Sequence, residues 1–365
     1  MVVHIAIVGT GVLGLSTALA ICESFTECFE LTMIGEYGPH NPDMNLNLSN
    51  SHDYTSPWAG AHFRPFPSKN VQEYQEMLLT RITQSKFKQF AKENPESSIR
   101  FIEGKEYLES PDEFYSNLST GWQDEIGNFK VLSESVLPEG VKLGVSYTTW
   151  VLNSPLYLQF LYRKLFHQYG VNFVTEKLEN LQQVNQFVEN NPIIINCTGN
   201  GLLYHGGNDP ANYPIRGQTL LVRPPITNLI DSTITHQLKD GIWTFCIPRP
   251  LNGGVILGGT KQIGDTCSDI RSEDTKQLIT NGYKLFPELF HPDGSIDIIK
   301  VNVGFRPART GGLNLSVQPK WETHFANHIL NNYGAGGMGY ELSYGSAVKV
   351  VENLKLLILQ EKSKL

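Results

Sequence analysis

Three observations predict an α/β chain, α+β overall, in which a Rossmann-like dinucleotide-binding domain on a parallel sheet is joined to a second domain on a mixed sheet. The first is a β-branched run, His4 to Val8, that meets Gly9-Thr10-Gly11-Val12-Leu13-Gly14 and passes into Leu15 to Ile21, apolar at helical spacing. The second is another strand, Glu30 to Ile34, closed by Gly35-Glu36, which completes a βαβ opening and therefore a parallel sheet. The third is Ile193-Ile-Ile195-Asn-Cys-Thr-Gly199, which reads as a buried strand ending in a glycine turn, as the central strands of parallel sheets do.

The remaining elements follow in order. Residues 41–53 are polar and turn-rich, hence a loop; 71–93 has amphipathic helical spacing, and Pro155 to Tyr169 a second helix stopped by Gly170. The pattern between those helices is mixed and uninformative. Residues 216–303 hold short β-like runs punctuated by Gly and Pro, the mixed sheet of the second domain, and Ser346 to Gln360 closes the chain as a helix.

Composition narrows the function classes. The 365 residues carry 29 basic against 36 acidic side chains, a formal charge of −7, and no Lys/Arg block, so a polyanion finds no electrostatic footprint and nucleic acid is not an expected partner. Five cysteines without C-x-x-C spacing suit neither a disulfide framework nor a structural zinc site. His324 and His328 stand at i, i+4 spacing but lack the glutamate of H-E-x-x-H, and no metal is expected. No apolar run approaches the roughly 20 residues that cross a bilayer, so no membrane insertion is expected. Val2 to Cys22 lacks the basic start of a secretory signal, so the sequons at Asn47, Asn117, Asn196 and Asn314 read as accidental. The last three residues, Ser363-Lys364-Leu365, match the S-K-L peptide bound by the peroxisomal import receptor, so the expected location is the peroxisome matrix.

The glycine motif carries the chemistry. Gly9 serves a tight turn, Gly11 admits a pyrophosphate close to the backbone, and Gly14 lets the helix pack tightly, while the helix N-terminus faces the phosphate charge. Thr10, Val12 and Leu13 fill the rest of the turn. Glu36, at the end of the next strand, accepts hydrogen bonds from ribose hydroxyls and repels a 2′-phosphate. At this point FAD and NAD are both open, and an NAD-dependent dehydrogenase is the competing class.

The chain resembles, over nearly its whole length, the D-amino-acid oxidases and D-aspartate oxidases, particularly those of yeasts. The anchors are IAIVGTGVLGLSTAL at the start, Thr55 to Ala61, Ile195 to Gly199, Pro214-Ile-Arg-Gly-Gln218, Val303-Gly-Phe-Arg-Pro307 and Asn332 to Gly339. The resemblance implies FAD, oxidative deamination of a D-amino acid to a 2-oxo acid and ammonia, and O2 as the acceptor that yields hydrogen peroxide. The step is thought to be hydride transfer from the substrate Cα, so the protein chiefly orients reactants and no general base is needed. The resemblance divides the chain into an FAD-binding domain (1–60, 145–215 and 300–365) and a substrate-binding domain (61–144 and 216–299), and leaves a homodimer open. It makes Arg306 the clamp on the substrate α-carboxylate and Gly337 the carbonyl that receives the amino group. Gly60, His62, Leu178, Gly336, Gly339, Tyr340 and Glu341 are implied at the cofactor.

One position departs from the family. A tyrosine whose hydroxyl meets the substrate carboxylate is replaced by Phe245, with Trp243 nearby. Losing a hydroxyl on a charge-assisted hydrogen bond costs roughly 1.5 to 3 kcal/mol of binding if nothing replaces it. Family members divide between neutral and acidic substrates according to whether the pocket supplies a second cation. Lys261 and Lys239 stand where animal D-aspartate oxidases carry arginines, and Arg64 occupies a pocket-facing position usually uncharged. Together they tilt the expectation toward D-aspartate and D-glutamate, with neutral D-amino acids as the alternative.

Overall fold

The computed structural model describes residues 2–41, 52–226 and 231–364, and two sheets organise them. The first has six strands in the order β14 (Val317–Gln318), β15 (Ile329–Asn331), β7 (Ile193–Asn196), β1 (Val3–Val8), β2 (Phe29–Ile34) and β6 (Asn172–Val174). All its pairings are parallel except β14 with β15. The second has nine strands: β12 (Gln262–Ile263), β8 (Asn212–Arg223), β11 (Val255–Gly258), β10 (Trp243–Pro248), β9 (Ser232–Gln237), β3 (Arg100–Leu108), β5 (Leu143–Val151) and β4 (Lys130–Val131), with β13 (Asp297–Arg309) also on β8. It is mixed, because β3 and β9 run parallel within an otherwise antiparallel set. The loop expected over 41–53 lies largely outside the described residues, as do Asn47 and Leu365.

The parallel sheet forms for the reason its sequence suggests. β7 is buried along its whole length, and β1 nearly so, because elements cover both faces and an unbroken Ile/Val run satisfies both. Helix α1 (Val12–Ser24) is buried from Val12 to Ile21, apolar on all sides because the sheet lies under one face and the closing helix against another. Gly9 has φ +105°, and a Cβ there would overlap the Cys197 carbonyl; one at Gly14 would overlap the carbonyl of Gly9. The turn is closed by backbone packed on backbone, which only glycine allows.

Helix α2 spans Val71–Glu93, the range its spacing predicts. Its start is a reciprocal cap: Asn70 accepts the Glu73 N–H at 2.9 Å, and the Glu73 carboxylate accepts the Lys69 N–H at 2.7 Å. The single turn α3 (Glu113–Ser116) is capped by Asp112. Helix α4 (Ser154–Arg163) continues as a π-turn over Lys164–Gln168 and stops at Gly170, φ +65°.

Other elements depart from expectation. Helix α5 (Ser272–Leu285) interrupts the region read as short strands, and α6 (Lys320–Thr323) is one turn. β3 and β5 occupy the stretch without a clear pattern. The last helix, α7, runs Gly339–Lys362 and so begins seven residues before Ser346; Gly339, Ser343 and Gly345 are poor helix formers held there by packing. The expected domain boundaries at 145, 215 and 300 fall inside or beside β5, β8 and β13, all strands of the nine-stranded sheet. One apolar core also joins α1, α2, α4 and α7 to β5, so the two lobes share a core.

Helix α2 packs closely on α7 at Gly345. The Gly345 N–H donates to Thr83 Oγ1 at 2.9 Å, and a Cβ at Gly345 would overlap the Leu79 carbonyl. Overpacking of such a contact costs about 1–3 kcal/mol. Gly345→Ala should lower the melting temperature by several degrees, whereas Ala347→Gly on the same helix should cost only about 1 kcal/mol; equal melting of Gly345→Ala and the unmodified protein would show that the crossing can yield.

Candidate active site

A cavity of about 590 Å³ opens at the carboxyl ends of β1, β2 and β7 and continues between the sheets to β8, β10 and β13. Ligands of open parallel sheets bind at this edge, where strand ends and helix N-termini converge. Gly9, Thr10, Gly11, Val12 and Leu13 line one stretch of it, at the start of α1, whose first turn holds no acidic side chain. Thr10 Oγ1 donates to the Tyr37 carbonyl, and Ser56 Oγ accepts the Val12 N–H at 3.0 Å, so loops after β2 and before α2 are tied to the glycine turn. Glu36 and Leu178 line the cavity beyond the ends of β2 and β6. Gly60, Gly336, Gly339, Tyr340 and Glu341 line it near the start of α7. A glycine cradle, a helix N-terminus free of acid and a ribose-facing acid together fit an adenine dinucleotide.

Arg306 enters from β13, where it pairs in register with Ile215 of β8. Its guanidinium lies over Gly217: a Cβ at that glycine would stand 2.6 Å from both terminal nitrogens. Its one hydrogen bond runs from Nη1 to the Thr260 carbonyl at 3.2 Å, and no carboxylate pairs with it among the described residues. Burial accordingly pulls its pKa below the ordinary arginine value. Gly337 is adjacent, the site of its missing Cβ 3.7 Å from Arg306 Cδ. Phe245 closes the same region, its ring edge against Gly258.

His62 lines the cavity with its ring 6.5 Å from that of Phe245. His62 Nδ1 lies 2.8 Å from Thr233 Oγ1, a hydroxyl that is also 3.2 Å from the Cys246 carbonyl. Burial, and secondarily the charge of Arg64, lowers the His62 pKa to about 3, and the ring is neutral at physiological pH.

Glu341 sits in the first turn of α7, 8% exposed. Its Oε1 accepts the Arg64 backbone N–H at 2.8 Å, and Oε2 has no partner among the described residues. Burial raises its pKa to about 7, against the smaller opposing pull of that N–H and of the Arg64 and Arg81 charges.

Four expected site residues lie outside the cavity lining. Gly14 is beneath it, against the Gly9 carbonyl. Arg64 turns toward Glu106, with Nη1 to Oε1 at 2.7 Å and to the Tyr115 hydroxyl at 3.2 Å, and Glu106 is wholly buried. Trp243 lies under that guanidinium at 4.5 Å and packs on Tyr115 at 6.3 Å. Lys261 is exposed, as is Lys239. The cations expected to receive a second substrate carboxylate are thus neutralised or outside, because a lysine on an exposed turn keeps its hydration and an arginine beside a buried glutamate pairs with it. His328, singled out with His324, instead bonds Glu361 at 3.1 Å.

The sequence reading missed Glu106, Gly217 and Thr233. Glu106 was accessible by alternation, since it shares the inward face of β3 with Gly104 and Leu108. Gly217 and Thr233 become meaningful only once β13 and β9 are in register beside their partners.

Comparison with known proteins agrees with this architecture. The family model for FAD dependent oxidoreductases (DAO) matches residues 4–353. A D-aspartate oxidase of Talaromyces thermophilus is 37% identical, over 99% of this chain and 96% of its own. A D-amino-acid oxidase of Schizosaccharomyces pombe (strain 972) is 35% identical, over 95% and 94%. Among solved structures, glycine oxidase from Bacillus cereus superposes with a TM-score of 0.69 at 16% identity, over 98% of this chain and 97% of its own, a likeness of fold. The chain therefore belongs to the FAD-dependent oxidoreductase family that contains the D-amino-acid oxidases and D-aspartate oxidases, and its cofactor is FAD.

Proposed function

We propose that the protein oxidatively deaminates D-amino acids to 2-oxo acids and ammonia, with O2 reduced to hydrogen peroxide. The observation that carries this reading is Arg306: a part-buried guanidinium with no carboxylate partner among the described residues, in the cavity that begins at the glycine cradle. A buried unpaired cation costs several kcal/mol, and an α-carboxylate taken in two parallel hydrogen bonds offsets that cost. Gly337, beside it, offers a carbonyl to the amino group, and Phe245 gives an apolar wall that keeps water from the reacting carbon. The bound flavin supplies the two-electron acceptor, which O2 regenerates. The protein's share is to hold the Cα–H bond toward it, so orientation accounts for much of the rate.

Within this proposal acidic D-amino acids are somewhat favoured, supported by the 37% identity to the enzyme named D-aspartate oxidase. Arg64 and Lys261 lend that preference no support, because one is paired with Glu106 and the other stands outside the cavity lining. Delivery to the peroxisome belongs to the same proposal, supported by the S-K-L ending, of which Ser363 and Lys364 are exposed at the end of α7. A chain extended past Leu365 should lose that location, and retention would remove the tripeptide as its cause.

Anaerobic addition of D-aspartate or D-alanine to the purified holoenzyme should bleach the oxidised-flavin absorbance, while L-enantiomers leave it intact; a spectrum unmoved by every D-amino acid would overturn the reading. Arg306→Met should keep FAD bound and lower kcat/KM by roughly 2–5 kcal/mol, or about 30- to 4,000-fold. Lys261→Ala should leave the ratio of D-aspartate to D-alanine turnover unchanged, and a fall in that ratio would return Lys261 to the substrate.

A further inference from the structure

Beside Arg306 the cavity is floored by cross-strand rows on one face of the nine-stranded sheet. Register pairs Phe245 of β10 with Gly258 of β11, Gly258 with Thr219 of β8, and Thr219 with Asn302 of β13, so these four stand side by side across four neighbouring strands. One step along, Gly217 of β8 pairs with Gly304 of β13, and the Arg306 guanidinium lies over Gly217. Residues two apart on a strand share a face and are about 7 Å apart, so the row that ends in Asn302 begins one side-chain layer from the guanidinium. Phe245, Thr219, Asn302, Gly217, Gly304 and Arg306 all line the cavity.

The two ends of that row differ in chemistry. Phe245 fills one end and lays its ring against Gly258. Thr219 presents its methyl to the same glycine, where a Cβ would stand 3.0 Å from Cγ2. Asn302 is 4% exposed and Thr219 7%, yet neither side chain forms a hydrogen bond among the described residues. Buried carboxamides are ordinarily paired, so an unpaired one that faces a ligand cavity points to a ligand atom as its partner. The row beyond, Ile247, Ile256 and Leu221, is aliphatic and ends at Lys300, whose ammonium is stacked on Trp58 at 4.2 Å.

We propose that Asn302, with Thr219 opposite it, determines side-chain specificity: the Asn302 amide and the Thr219 hydroxyl donate to an oxygen at the end of a short substrate side chain, the carboxylate of D-aspartate or the carboxamide of D-asparagine. The inference deepens the D-amino-acid oxidase reading and rests on it. With the α-carboxylate on Arg306, a short side chain plus one hydrogen bond of about 2.9 Å spans the distance to this row, and the methyl of D-alanine does not. Because the donors are neutral and the Asn302 carboxamide also offers an oxygen, the pair serves an acid and an amide alike and favours both over an alkyl side chain. Phe245 has no hydroxyl, so Thr219 and Asn302 are the hydrogen-bonding side chains of the row.

Steady-state kcat/KM of the holoenzyme for D-aspartate, D-asparagine and D-alanine tests the assignment, with flavin content checked by absorbance. Asn302→Leu removes the amide at similar volume and should lower the D-aspartate to D-alanine and D-asparagine to D-alanine ratios about 10-fold each, chiefly through KM. Thr219→Val should lower both ratios by a smaller factor. Asn302→Asp keeps the shape but places a carboxylate in the row, and should lower D-aspartate relative to D-asparagine about 10-fold or more; it supplies the reading if the leucine variant loses its flavin. A substitution that only disturbed the sheet would lower all three substrates together. Unmoved ratios in Asn302→Leu and Asn302→Asp, with or without such a uniform loss, overturn the proposal and leave the oxidase reading intact, as does a parent that oxidises D-alanine but neither D-aspartate nor D-asparagine. A parent that oxidises no D-amino acid overturns both.

Discussion

Arg306 reaches the cavity on β13, paired along its length with β8, and its guanidinium rests over the bare Cα of Gly217 with one carbonyl as its protein partner. Burying a cation in this way lowers the stability of the fold, and the long antiparallel pairing is what holds it in place. A side chain at Gly217 would displace the guanidinium, a slip of β8 against β13 would move it, and the Thr260 carbonyl must stay at the turn before β12. The same arrangement leaves Phe245, on the next strand but one, as a wall beside the charge. The site is thus a property of sheet register, and its functional groups come from segments far apart in the chain.

The other charges near the cavity are disposed so that Arg306 keeps its vacancy. Arg64 is held by Glu106, a pair whose disruption would cost about 3–5 kcal/mol because Glu106 would be left buried alone. With the guanidinium so engaged, the Arg64 backbone N–H is free to anchor Glu341. Burial, and secondarily the Arg64 charge, keep His62 neutral, so it adds no second cation to the cavity.

Much of the fold was legible because it rests on local patterns. The β1–glycine–α1 opening needs only period, spacing and glycine, and α2 carries its own cap in Asn70 and Glu73. The start of α7 was illegible for the opposite reason: its glycines and serine oppose helix formation locally, and contact with α2 overrides them. The cavity shows the same split. Positions in contiguous motifs, Gly9 to Leu13 and, of 336–341, all but Met338, line it together. Lys261 and Arg64 were assigned by position relative to other proteins, and such an assignment cannot see that Glu106, from another strand, captures the arginine.

Neither Arg64 nor Lys261 supplies a free second cation beside Arg306, which bears on how selective such a cavity can be. Discrimination for an acidic side chain requires a group left unpaired, at some cost, when a neutral substrate binds. Arg64 is already satisfied by Glu106, and His62 is a neutral ring that offers no charge to a second carboxylate. Protonating an imidazole whose pKa lies near 3 is costly at neutral pH, so an acidic substrate must bring that proton with it or hold its side chain by neutral donors such as Thr219 and Asn302, which also line the cavity. Selectivity built on neutral donors is shallow, because an apolar side chain leaves little uncompensated charge behind. The geometry therefore favours a broad preference over a strict one, set by shape around Phe245 and by the single clamp at Arg306.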